Sequence, residues 1–309
     1  MKRVVSVSLG SSARDAAHEL RVLGEEIHLE RRGTDGDLRR ARALLAELDG
    51  QVDALGLGGV SFTLNAGRRA YPIREVVALA SVVKRTPVVD GSGVKASLER
   101  ALPEYLERRL DLRLAGLKAL LVSGVDRWSL GEALEQAGCA LTLGDFVYAL
   151  GLPWPLHSLR ALERVAVVLL PVLCQLPLAW VYPLGQAQEE APRPGPGQDL
   201  LAGAQLIAGD FHYIRRHLPP SLAGKIIITN TVTAADRAEL ASRGPVLLVT
   251  TSPNFGGRSF ATNVIEALIV AVAGRAGLTE EEYRAYAEAM ELAPDAGWLH
   301  PPTRVAEGD

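Results

Sequence analysis

The chain alternates short apolar, strand-like runs with helical runs, and nearly every strand-like run ends in a loop of Gly, Ser, Thr, Asn or Asp. This alternation predicts parallel sheets covered by helices, because parallel neighbours are joined only through crossover connections. Residues 4–9 lead into Gly10-Ser11-Ser12, residues 52–57 into Gly58-Gly59, and residues 87–89 into Asp90-Gly91-Ser92-Gly93. Strands are also expected at 26–30, 118–122 and 140–143. Those at 205–208, 225–229 and 246–250 lead to Asp210, to Asn230-Thr231 and to Thr251-Ser252. Open parallel sheets bind ligands beyond the carboxyl ends of their strands. The loops, rather than the strands, are therefore where chemistry is expected.

Helical periodicity places Leu38, Ala41, Leu44, Leu45 and Leu48 on one face, with Asp37 as N-cap and Gly50 just past the end. Further helices are expected at 75–83, 94–108, 130–137, 234–243 and 259–275, and a last one from Thr279. Residues 62–73 read as a hairpin turning at Asn65-Ala66-Gly67. Residues 158–184 break the rhythm, because 165–185 hold no charge but contain Pro171, Pro177 and Pro183. A buried or interface helix pair is expected there, with a lid or peripheral membrane contact as the alternative, and no transmembrane span. Residues 185–199 read as a Pro/Gly-rich linker. The expected organisation is an N-terminal α/β domain at 1–150, an apolar helical segment and linker at 151–199, and a C-terminal Rossmann-like domain with terminal helices at 200–309. The fold class is thus α/β, with two Rossmann-like halves, parallel sheets covered by helices, and a cleft between them.

A net charge of -3 and the lack of a basic, aromatic-interleaved run give no reason to expect nucleic acid. Cys139 and Cys174 form no CxxC pair, and the histidines lack ligand spacing, so no metal is expected. A reducing, cytoplasmic setting fits this cysteine usage, and the first residues read as strand and turn rather than a signal peptide. The expected partner is a small, anionic molecule, and a homo-oligomer is left open.

Several strand-end groups have suitable chemistry. Asp90 and Lys95 flank a glycine-rich turn before a helix, as an acid–base pair would. Asp210 closes a strand two residues before His212, a residue type suited to general acid or base work near neutral pH. Ser11, Ser12 and Arg14 offer hydroxyls and a cation to an anion at a helix start, against the plainer reading of a capped turn. Ser92, Asn230, Thr231 and Thr251 are hydroxyl or amide donors at other strand ends. Arg258 and Ser259, behind a double glycine, would bring a cation to a helix N-terminus. Gly56, Gly58 and Gly59 match the start of a dinucleotide fingerprint, although strand-like residues follow where the motif has a helix.

The stretches VSLGSSARD, TPVVDGSGVK, AGDFHYIRRHLP, IIITNT and GRSFATNVIEAL together resemble a bacterial family commonly labelled quinate 5-dehydrogenase. The resemblance spans almost the whole chain. It implies an α/β protein and NAD- or NADP-linked oxidation of a quinate- or shikimate-like cyclic polyol acid. The other reading open to the sequence is a non-redox enzyme or binding protein for a phosphorylated metabolite or nucleotide.

Overall fold

The computed structural model describes residues 1–181, 197–230, 232–252, 254–255 and 258–300. The first unit comprises β1 (Lys2–Ser8), β2 (Ala16–Val22), β3 (Glu25–Gly33), α1 (Leu38–Leu48), β4 (Ala54–Gly58), β5 (Thr63–Ala66), β6 (Arg69–Pro72), α2 (Arg74–Ala80), β7 (Val88–Val89) and α3 (Ser92–Leu110). Its sheet runs β2-β3-β1-β4-β7. All neighbours are parallel except β2, which is antiparallel to β3. The helix start expected around Ser11–Arg14 is not formed. A single 3-10 turn at Ser12–Arg14 leads into β2. Leu23 (φ 48) and Gly24 (φ 85) make the two-residue turn that pairs β2 with β3, since positive φ at both turn positions matches the twist of a hairpin.

The second unit holds β8 (Lys118–Leu121), α4 (Trp128–Gln136), β9 (Ala140–Leu143), α5 (Leu159–Leu173), α6 (Leu178–Val181), α7 (Gln198–Gly203), β10 (Leu206–Ala208), α8 (Phe211–Arg216), β11 (Ile226–Thr229), α9 (Ala234–Ser242) and β12 (Leu247–Thr250). The short β13 (Asn254–Phe255) and β14 (Arg258–Ser259) follow, then α10 (Thr262–Ala273), α11 (Glu280–Ala289) and β15 (Asp295–Trp298). The sheet runs β15-β12-β11-β10-β8-β9, parallel except for β15. Although β8 and β9 precede residue 150, they pair in this sheet, with β8 beside β10.

The two units are tied together twice. α10 returns to the first sheet, where Val264 and Leu268 share an apolar core with Val4 and Ala54. α5 and α6 lie in the segment where a helix pair is expected, and residues 182–196, with most of the expected linker, lie outside the described residues. The two helices are held to the first unit by bonds from Arg74 N to Cys174 O and from Leu178 N to Glu75 Oε2. α5 buries Leu159, Leu162, Ala166 and Leu170 along one face and leaves Val168 and Val172 exposed. Among the described residues, no helix is long and apolar enough to cross a membrane.

Candidate functional site

A cluster of buried charges lies where the β8–α4 turn meets α3. Lys95 and Glu99, one turn apart on α3, face the same way. Lys95 Nζ donates to the Asp126 carbonyl at 2.6 Å and lies 3.2 Å from Asp126 Oδ1. Arg127 bonds Glu99 at 2.6 Å and lies 3.4 Å from Asp126 and 3.6 Å from Asp210. Glu99 also accepts the Leu130 amide. Arg127 is only 4 % exposed and Glu99 only 1 %, so each charge is tolerable there only because the others compensate it. Burial opposes the charge of Arg127, but Glu99, Asp126 and Asp210 outweigh it and hold its pKa above the usual value. Burial likewise pushes the Asp126 carboxyl up, yet Lys95 and Arg127 bring it below the ordinary aspartate value.

Asp145 follows β9 and accepts the amides of Gly124 and Val125, both at 3.0 Å. Here burial prevails over the two amides, and the carboxyl is pushed up to about 6. Asp126 and Asp145 line the same cavity, together with Ser123 and Tyr213. Two neighbouring carboxyls shifted in opposite directions are the arrangement from which acid and base roles arise.

The structure places the residues singled out in the sequence differently from one another. Lys95 faces Asp126, while Asp90 accepts the Ser92 amide and hydroxyl and the Phe62 amide. Asp90 is therefore an anchor for the α3 turn and the β5–β6 hairpin. The adjacent Ser61 hydroxyl lies 3.4 Å from Asp126, so Asp90 remains at the rim of the cluster. Asp210 caps α8 through the His212 amide, accepts Asn230 Nδ2 at 2.6 Å, and faces Arg127. His212 is half-buried on α8.

The Ser11–Ser12 turn uses the chain's own groups: Ser11 Oγ accepts the Ala13 amide, the Ser12 amide donates to Asp35, and Arg31 donates to the Ser11 carbonyl. Arg14 closes that 3-10 turn. The Thr251 amide bonds Thr229 O, and its side chain is buried. Thr231 and the side chains of Arg258 and Ser259 lie outside the described residues. The α10 helix begins at Thr262 rather than directly after Arg258.

Gly56, Gly58 and Gly59 have a packing role. A Cβ on Gly56 would lie 2.7 Å from Asn263 O, and one on Gly58 3.1 Å from Asn263 Nδ2. Gly59 adopts a φ of +83° beside the Gly10 amide.

The other βα turn to test for a dinucleotide is 124–129. The first glycine of the fingerprint corresponds to Gly124, and an acid stands 21 residues later at Asp145, as the ribose partner would. The second and third glycine positions hold Asp126 and Ser129. The second glycine is what lets the backbone approach the pyrophosphate, and here a buried carboxylate stands in its place. Leu162 of α5 covers the turn, 2.6 Å from where a Cβ on Gly124 would lie. The residues of this turn do not fit a dinucleotide pyrophosphate.

Sequence reasoning missed Glu99, Asp126, Arg127 and Asp145. A signal was present, since Ser123-Gly124-Val125-Asp126-Arg127 is another polar strand-end loop, and Glu99 lies four residues beyond Lys95.

A family model described as a domain of unknown function (DUF8754) matches residues 93–299, and a second (DUF8753) matches residues 3–90. No curated protein matches. Among solved structures, a hetero-hexameric glutamate dehydrogenase from Thermus thermophilus aligns with 94% of this chain and 73% of its own at 14% identity and a TM-score of 0.44. L-tryptophan dehydrogenase from Nostoc punctiforme aligns with 94% of this chain and 80% of its own, at 12% identity and a TM-score of 0.36. A galactofuranose binding protein aligns with 94% and 99%, at 10% identity and a TM-score of 0.37. At these values the likeness concerns α/β architecture alone.

Proposed function

We propose that this chain, which belongs to the family described as a domain of unknown function (DUF8754), is an enzyme that transfers a proton to or from a small hydroxyl- or carbonyl-bearing molecule. The observation that carries this reading is one cavity bordered by two carboxyls of opposite shift. Asp145, with its carboxyl near 6, is the acid–base group, because proton transfer is most effective when the pKa lies near the working pH. Asp126 supplies fixed negative charge. Lys95 and Arg127 are positioning residues that keep Asp126 ionised.

Two reaction classes use such a pair. One is oxidoreduction of a hydroxyl–carbonyl couple, including the NAD(P)-linked oxidation of a quinate- or shikimate-like acid implied by the family resemblance. The position of Asp126 and Asp145 beyond the carboxyl ends of the parallel strands β8 and β9 supports it. The other is non-redox chemistry or simple binding, favoured by Asp126 standing where a pyrophosphate must approach. Division into two α/β units with the ligand between them is part of both.

The test offers hydroxy and oxo metabolites to wild-type protein and Asp145→Asn, with and without NAD or NADP, and follows products by mass spectrometry. Products that differ from substrate by two hydrogens only when dinucleotide is present assign the redox class. Turnover without it assigns the other. Undiminished turnover in Asp145→Asn would remove the proton-transfer reading altogether.

A further inference from the structure

The cavity between α5 and the β8–α4 turn has a volume of about 130 Å³. Its walls are apolar: Leu64 and Ile73 come from the first unit, and Leu162, Ala166 and Leu170 from α5. Its polar end is formed by Ser123, Asp126, Asp145 and Tyr213. Lys95 is not among the lining residues, and its ammonium meets Asp126 from outside the cavity. A ligand inside therefore meets carboxylates rather than the cations that balance them. Leu150 and Trp180, 44 % and 77 % exposed, also border the space and mark the side where it reaches the surface.

Native cores leave few voids larger than a water molecule. An apolar cavity of roughly 150 Å³ is enough to take up a benzene-sized molecule. We propose that this cavity binds a neutral or cationic molecule with an apolar body about the size of a six-membered ring and one hydroxyl or amine at its polar end. The donor hydrogen-bonds Asp126 or Asp145, and the ring packs against α5. An anionic carboxylate in the same place would meet two acidic groups with no cation among the described lining residues. A ring bearing several hydroxyls would leave most of them unpaired against leucines, a mismatch that strongly disfavours binding. This inference rests on the site assigned above and narrows its ligand class away from polyhydroxylated acids.

Binding is tested directly on the full chain by calorimetry with cyclohexanol, cyclohexylamine, cyclohexanecarboxylate and quinate. Cyclohexanol and cyclohexylamine are expected to bind at least tenfold more tightly than either acid. From cyclopropanol to cyclohexanol, each added methylene should tighten binding roughly fourfold. Ala166→Phe fills the cavity and should abolish binding. Should that variant not fold, Leu170→Ala enlarges the space and should shift preference from cyclohexanol to cyclooctanol. Equal or tighter binding of the acids, or no binding by any of the four probes, would overturn the ligand class. Selective binding of the neutral and amine probes in Asp145→Asn, without turnover of any substrate by wild type, would instead uphold it while removing the enzyme reading.

Discussion

Replacing Asp145 by Asn gives a pH-dependent signature that the structure fixes in sign. In the folded protein the carboxyl is pushed up to about 6, mainly by burial, whereas an aspartate in an unfolded chain titrates at roughly 3.9. Between these values the folded state holds a proton that the unfolded state has released. Stability therefore falls as pH rises through this window, is highest below it, and levels off above it. A separation of about two pKa units corresponds to ~3 kcal/mol. Asn has the same shape and does not titrate. Its Oδ1 accepts one of the two amides and its NH2 faces the other, a pH-independent loss of about 1 kcal/mol. Subtracting the wild-type melting temperature from that of the variant at each pH cancels the other titrating groups. The difference should climb in favour of Asp145→Asn by roughly 4–6 °C between about pH 4 and pH 7, at roughly 2 °C per kcal/mol. Scanning calorimetry across that range reads it. Parallel profiles, or a difference that falls with pH, would show that the Gly124 and Val125 amides outweigh burial and that Asp145 is an ordinary structural carboxylate.

Two other substitutions test the frame around the site. Arg127→Ala leaves Glu99 buried without its counter-charge and removes one of the two cations facing Asp126, and should lower stability by about 3–5 kcal/mol in urea denaturation; a loss under about 1 kcal/mol would mean that the charges are not coupled as described. Gly91 has a φ of +94°, and a Cβ there would lie 2.4 Å from the Asn263 amide nitrogen, so Gly91→Ala should cost about 1–3 kcal/mol by the same assay, and an unchanged midpoint would separate the α3 turn from α10.

The strand–helix alternation was readable because each element carries its own period. The strand at 140–143 and the helix at 38–48 have the same bounds in the structure as in the sequence pattern. Sheet membership was less legible. Nothing local in residues 118–121 says whether they will pair with a preceding or a following strand, and β8, ending at Leu121, joins β10, which begins only at Leu206. The strand β2 was missed because its turn uses Leu23 at positive φ, a conformation that the identity of leucine does not announce. The pairing of Lys95 was also hidden. Its sequence neighbour Asp90 is used by Ser92 and Phe62, and its partner Asp126 arrives from another βα unit.

The strand-end rule applies unequally to the two sheets. At the first, the carboxyl ends are closed by the chain itself: Asn263 packs against Gly56 and Gly58, and Asp35 and Arg31 fill the Ser11–Ser12 turn. Polar residues and glycines there serve close packing, which requires the same small and hydrogen-bonding side chains as a ligand site. At the second sheet, the loops after β8 and β9 place Asp126 and Asp145 beside a space that no described side chain fills. The first unit contributes walls, through Leu64 and Ile73, and a cation, through Lys95 on α3. A site assembled in this way depends on the register between units more than on either sheet alone. α5 fixes that register by covering Gly124 while α2 holds the segment that follows it. The apolar segment that interrupts the sequence pattern is therefore the element that closes the cavity.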